Sequence, residues 1–519
     1  MKRTTLSLFA VTASLAVVTG VAALNPPSDG DESGTKTTAA RMPVQRSTLL
    51  CPAPTSSDVG DTAYTAFTPA GKGAAARASA ADLLPAAGPA RPDKADSKKD
   101  EPKKDEGKKA DAKKDEKDAK DPGKPVLSLK EPGKPVTATT SRSDAPALIG
   151  TADGPLAPGW TAQQTTTVAA GSGRGLHGVA CAAPDTSFWF PGASTAKGRQ
   201  DYVHLTNPDD AAAVVDLELY GKDGRIKSAT GDGVNIPPRS TVPVLLSTLT
   251  DVTEENLTLH VAAHSGRVGA AVQASDEKLG GDWLPASADV SPDVVLPGIP
   301  ADATSVRLVA FAPGTDDADV KVRLAGPGGS LTPAGHESLH IKSGMTAAVD
   351  LGDITKGEAG SLLLTAERGS APVVAALRVT RGKDDKQETA FIPATAAINE
   401  RGTVADNRAK GSTLALVAPG KDAQVKVVAS AGSEGGTAVS RTYTVKAGTT
   451  LSVEPPQPAG GKGVYALTVE KVSGGPVHAS RMLALPKDGV PMFTVQPVAD
   501  DRSTVAVPEA EQDLSMLND

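Results

Sequence analysis

The sequence predicts an all-β chain: three tandem antiparallel β-sandwich (immunoglobulin-like) domains after an N-terminal signal or anchor helix and a disordered charged insert. Composition points there first, since 519 residues include 52 Gly and 41 Pro but only 3 Trp, 5 Tyr and 7 Phe. Gly and Pro end strands, and small β-branched side chains suit pleated surfaces. Short alternating apolar runs between Gly, Pro and Asp turns point the same way, as in Leu257-Thr258-Leu259-His260-Val261. An internal repeat of about 105 residues, the usual size of one such sandwich, completes the case.

The N-terminus opens Met1-Lys2-Arg3 and then runs uncharged from Leu6 to Leu24. A basic start followed by an apolar segment reads as either a cleaved signal peptide or a retained transmembrane anchor. Either reading places residues 25–519 outside the cytoplasm, because the short basic end stays inside. Residues 25–42 read as a disordered stalk, and residues 43–69 as strands that join the first sandwich. Residues 70–144 read as a disordered insert of Lys, Asp, Ala and Pro with almost no large apolar side chain. Its stretch 91–124 carries twelve Lys and one Arg against eight Asp and three Glu, a net of +2 within a chain of net −7. The rest of the chain is therefore acidic and repels phosphate backbones, which argues against a nucleic-acid partner.

Sandwiches are expected over residues 145–290, 291–390 and 391–500, followed by an acidic tail at 501–519. The repeat that places them is anchored by Val215-Asp216-Leu217, Val320-Lys321-Val322 and Val425-Lys426-Val427. Opening strands ending near Pro are read at Trp189-Phe190-Pro191, Val295-Leu296-Pro297 and Phe391-Ile392-Pro393. Cys51 and Cys181 are the two cysteines, and an even count in an oxidising compartment favours one disulfide. Such a bond would hold the Lys/Asp insert as a loop fixed at both ends.

The export segment, Leu49-Leu50-Cys51-Pro52, the later Cys181, and Leu205-Thr206-Asn207-Pro208 before a Val-x-Leu strand resemble the actinobacterial family of domain of unknown function 5719. That resemblance implies an extracytoplasmic location and a fold. It implies no activity, and it carries no catalytic residue onto this chain.

Motifs that suggest chemistry sit in unsuitable contexts. His336-Glu337-Ser338-Leu339-His340 spells H-E-x-x-H, which chelates zinc only on a helix, where residues four apart share a face. Pro333, Gly335 and Gly344 flank it, and on a strand residues four apart lie about 13 Å apart. His260 and His264 share that spacing on another expected strand. Ser194-Thr195-Ala196-Lys197 and Gly173-Arg174-Gly175-Leu176-His177-Gly178 read as a turn and a loop. Trp189, between Phe188 and Phe190, has two readings: core packing, or a glycan site shared with Tyr220 and Trp283. Alternation on a strand would point Trp189 opposite to both Phe neighbours. The chain is accordingly read as a non-enzymatic cell-envelope protein without cofactors. Its partner is read as an envelope protein or a glycan, and it meets the membrane only through its N-terminal helix if that is uncleaved.

Overall fold

The computed structural model describes residues 40–71, 79–87 and 123–507, and strands dominate it, without an α-helix among the described residues. The expected signal or anchor at 1–24 and most of the stalk lie outside the described residues, as do 72–78 and 88–122 of the insert and 508–519 of the tail. Ala40–Pro43 and Thr504–Val507 pair as a two-stranded ribbon.

Eight further sheets of four or five antiparallel strands make four sandwiches, where the repeat predicted three. The same strand order recurs in each. One sheet runs first–sixth–third–fourth, and the other runs fifth–second–seventh–eighth. In the second sandwich the eight strands are Ser187–Ala193, Arg199–Thr206, Ala213–Gly221, Gly224–Ile226, Thr241–Leu245, Leu257–Ser265, Gly269–Asp276 and Gly280–Leu284. A short strand, Val234–Ile236, also pairs with the third. This order corrects the immunoglobulin-like expectation. In that fold the first strand shares a sheet with the second and fifth, and the seventh with the third. Here the first and seventh strands have exchanged sheets.

The extra sandwich is the N-terminal one. Its strands are Arg46–Cys51, Gly60–Phe67, Ala81–Pro85, Leu127–Leu129, Val136–Thr140, Leu148–Asp153, Thr161–Val168 and Gly175–Ala180. Three of these lie within 70–144, the stretch expected to hold no structure. The charged run interrupts the sandwich between its third and fourth strands, so Leu83 and Leu129 meet in one core across it. The disulfide Cys51–Cys181 ties the first strand of this sandwich to the residue after its eighth. Phe391-Ile392-Pro393 ends the eighth strand of the third sandwich, Glu388–Pro393, and the fourth sandwich opens instead with Arg401–Asn407.

The sandwiches close into a ring. Each first sheet buries its inner face against its own partner sheet, as Val215, Leu217 and Leu219 do against Val203, Leu205 and Val272. Its outer face packs on the second sheet of the following sandwich. Val295 thus meets Val417, and Ala405 of the fourth sandwich meets Phe67 of the first. Gln163 accepts the Ala405 and Asp406 amides at 3.0 and 2.8 Å at that last seam. The four eighth strands, Gly175–Ala180, Gly280–Leu284, Glu388–Pro393 and Phe493–Pro497, converge in turn at the centre. Their approach is close: a Cβ at Gly178 would lie 2.5 Å from Thr494 Cγ2.

Candidate functional site

Alternation on three neighbouring strands builds a polar row on the outer face of the second sandwich. On the third strand Val215, Leu217 and Leu219 turn into the core, which leaves Asp216, Glu218 and Tyr220 outward. On the sixth strand Leu257, Leu259 and Val261 turn in, and His260 and His264 turn out. On the first strand Phe188 and Phe190 are buried, while Trp189 and the exposed Ser187 face the other way. Register then sets Trp189 opposite His260, and His260 opposite Glu218.

The resulting contacts form one chain. Ser187 Oγ lies 3.0 Å from His260 Nε2, and His260 Nδ1 lies 2.8 Å from Glu218 Oε2. The Tyr220 hydroxyl donates to the same carboxylate at 3.0 Å, and Arg225 pairs with its other oxygen at 2.9 Å. Burial alone would raise the Glu218 carboxyl, but the bonds from His260 and Tyr220 and the Arg225 charge outweigh it and hold it below its ordinary range. Burial and the adjacent Glu218 push the Tyr220 hydroxyl up to about 12, so it stays a donor. The Trp189 ring stacks on the imidazole, with centroids 3.7 Å apart and planes 8° from parallel. Phe311 of the third sandwich closes the cluster, 5.3 Å from Trp189 and 4.6 Å from Tyr220.

A family model described as a family of unknown function, DUF5719, matches residues 136–456. The chain belongs to this family. No curated protein matches it. The DUF5719 match begins at the fifth strand of the first sandwich and ends just past the fifth strand of the fourth, so it touches all four.

The remaining sequence candidates of this DUF5719 chain lie elsewhere. Trp283 is 0% exposed on an eighth strand, where it packs on Val179, Ala271 and the edge of His204, so it cannot join Trp189 and Tyr220 on one surface. His336 lies in a turn, and His340 lies on the short strand Ser338–Ile341, so the H-E-x-x-H segment is not helical. His340 meets Asp319 at 2.8 Å, while Glu337 accepts the Gly335 amide at 2.9 Å. His264 pairs with Asp216, not with His260.

A second polar cluster, which sequence reading missed, occupies the centre of the ring. Glu388 accepts the Leu176 amide at 3.1 Å, and Asp282 accepts the Gly178 and Trp283 amides at 2.9 and 2.8 Å. All three bonds hold eighth strands, two of them between sandwiches. Burial pushes Glu388 up to about 8 and Asp282 well above the carboxylate range, and it pushes the enclosed His177 down to about 4. Burial disfavours the charged form in each case. These groups fasten the axis and present no open surface.

Proposed function

We propose that the chain is a structural or interaction protein of the cell envelope, held outside the cytoplasm by residues 1–24 as a cleaved signal or a retained anchor. The ring is a rigid body in this reading, and its outer strand edges and loops meet a partner protein or a glycan. That role works by contact and needs no cofactor. The disulfide carries the proposal, because such bonds form and persist in oxidising compartments outside the cytoplasm. The basic start and apolar run of the first 24 residues support it. Fractionation of the native cells with crosslinking tests location and partner together. The expected result is a chain in the membrane or extracellular fraction, oxidised at Cys51 and Cys181, with crosslinks to an envelope component. Recovery in the cytoplasm with both thiols free would overturn it.

A further inference from the structure

Beyond a role by contact, the outer face of the second sandwich holds a serine in line with a base and an acid. We propose that Ser187 is the nucleophile of an acyl-transfer site, with His260 as its general base and Glu218 as the acid that orients the imidazole. This departs from the expectation of a chain without catalytic chemistry. A hydroxyl becomes a nucleophile when an adjacent base can take its proton and a third group fixes that base. Here the Nδ1 proton is donated to Glu218 at 2.8 Å, which leaves Nε2 to accept from the Ser187 hydroxyl at 3.0 Å. Glu218 is itself fixed by Tyr220 and Arg225, and Trp189 stacks on the imidazole and sets its plane. Ser187 alone of the three is exposed, so the reacting end faces solvent and the supporting end is covered.

The neighbouring repeats serve as internal controls. The aligned Val215, Val320 and Val425 place Trp189, His260 and Glu218 level with Val295, Leu363 and Arg323 in the third sandwich. In the fourth sandwich the same row is Thr403, Thr468 and Val428. Ser187 itself corresponds to Asp293 and Arg401. The same sheet therefore forms twice with no histidine, acid partner or serine at these places. At these places Val295 and Leu363 pack on Val417 of the next sandwich, so the hydrogen-bonded row from Ser187 to Glu218 is particular to the second sandwich.

Backbone geometry adds a donor. The Ala263 amide bonds to the Thr186 carbonyl at 2.7 Å, so alternation turns the Ser187 amide away from the sixth strand, toward the open edge of the sheet. The outward Trp189 carbonyl, which accepts the Ser287 amide at 2.8 Å, follows the same alternation. The Ser187 amide thus points out of the edge of the sheet beside its own hydroxyl, where we assign it as a donor to the ester carbonyl oxygen. Ser187 is exposed at the start of its strand, so the substrate class we assign is an acyl ester carried on a chain that reaches this surface.

In the step itself Ser187 Oγ bonds to the ester carbonyl carbon, and its proton passes to His260 Nε2. The alkoxide leaves with that proton as an alcohol, giving acyl-Ser187. Water then attacks the acyl carbon with His260 again as base, and releases the carboxylic acid and free Ser187.

The purified full chain is treated with a fluorophosphonate probe and, separately, with p-nitrophenyl acetate. The expected results are a single adduct mapped to Ser187 by peptide mass spectrometry, and ester hydrolysis lowered at least tenfold in both Ser187→Ala and His260→Asn. Circular dichroism confirms that each variant is folded. His264→Gln, another outward histidine on the same strand, is expected to leave labelling unchanged. No adduct at Ser187 on the folded wild-type chain, hydrolysis unchanged in Ser187→Ala, or equal loss of labelling in His264→Gln would each overturn the assignment. These outcomes are separate from location and partner binding, which the fractionation reads.

Discussion

Glu388 makes the stability of the ring depend on pH, and Glu388→Gln isolates that dependence. The side chain is fully buried on the eighth strand of the third sandwich and accepts the Leu176 amide from the first. Burial raises its folded pKa to about 8, against an ordinary value of 4.5, although the Leu176 amide and the charges of Arg174 and Arg381 pull the other way. A raised folded value means that the neutral form contributes stability in full below the unfolded value. That contribution is lost as pH rises through the folded value. Each pH unit between the two values corresponds to about 1.4 kcal/mol, so the loss across that window sums to roughly 5 kcal/mol as an upper bound. Glutamine keeps an oxygen for the Leu176 amide and removes the titration. Unfolding of both proteins in denaturant at pH 5, 7 and 9 gives the comparison. The wild-type chain is expected to lose stability relative to Glu388→Gln from pH 5 to 9, with the steepest change between 5 and 8. Parallel stability curves for the two proteins would show that Glu388 titrates normally and would refute this account of the axis.

Other expectations follow from the same geometry. Replacing Cys51 and Cys181 with Ser opens a loop of 130 residue steps, and chain entropy sets the loss at up to about 5 kcal/mol, read as a lower denaturation midpoint. Gly178→Ala drives a Cβ against Thr494 and is expected to cost about 1–3 kcal/mol. Adding Thr494→Ala removes the nearest clashing atoms, so the double mutant should be more stable than Gly178→Ala alone, and a purely additive cycle would argue against the contact. Trp283→Ala leaves a cavity in a sealed seam and is expected to cost about 3–5 kcal/mol, while fluorophosphonate labelling of the folded fraction stays at the wild-type level.

Much of this was legible in single segments. Alternating runs such as Leu257-Thr258-Leu259-His260-Val261 specify strands and assign each side chain to one of two faces, because the side-chain period of a strand is two. The 105-residue spacing of Val215, Val320 and Val425 marks equivalent third strands, since each repeat is folded by the same local pattern. The two cysteines were legible as a pair because two cysteines allow a single intramolecular bond, and the structure forms it.

Register and long-range pairing decided the rest. The first sandwich escaped the repeat because the charged run separates Leu83 from Leu129, and no fixed period survives such an insertion. Pro393 resembled an opening strand in local composition, but it is hydrogen-bonded partners that make Glu388–Pro393 an eighth strand. His260 carried a visible signal in sequence only as a spacing with His264. Its working neighbours Glu218 and Ser187 lie 42 and 73 residues away, and a one-residue slip in either pairing would have turned them to the other face. Closure of the ring, which buries Glu388, Asp282 and Trp283, arises from contacts between sandwiches that no single repeat encodes. The sequence by itself thus determined strands, faces and repeat length, which depend on near neighbours along the chain. Tertiary structure alone decided which faces meet, because that depends on burying surfaces contributed by residues hundreds of positions apart.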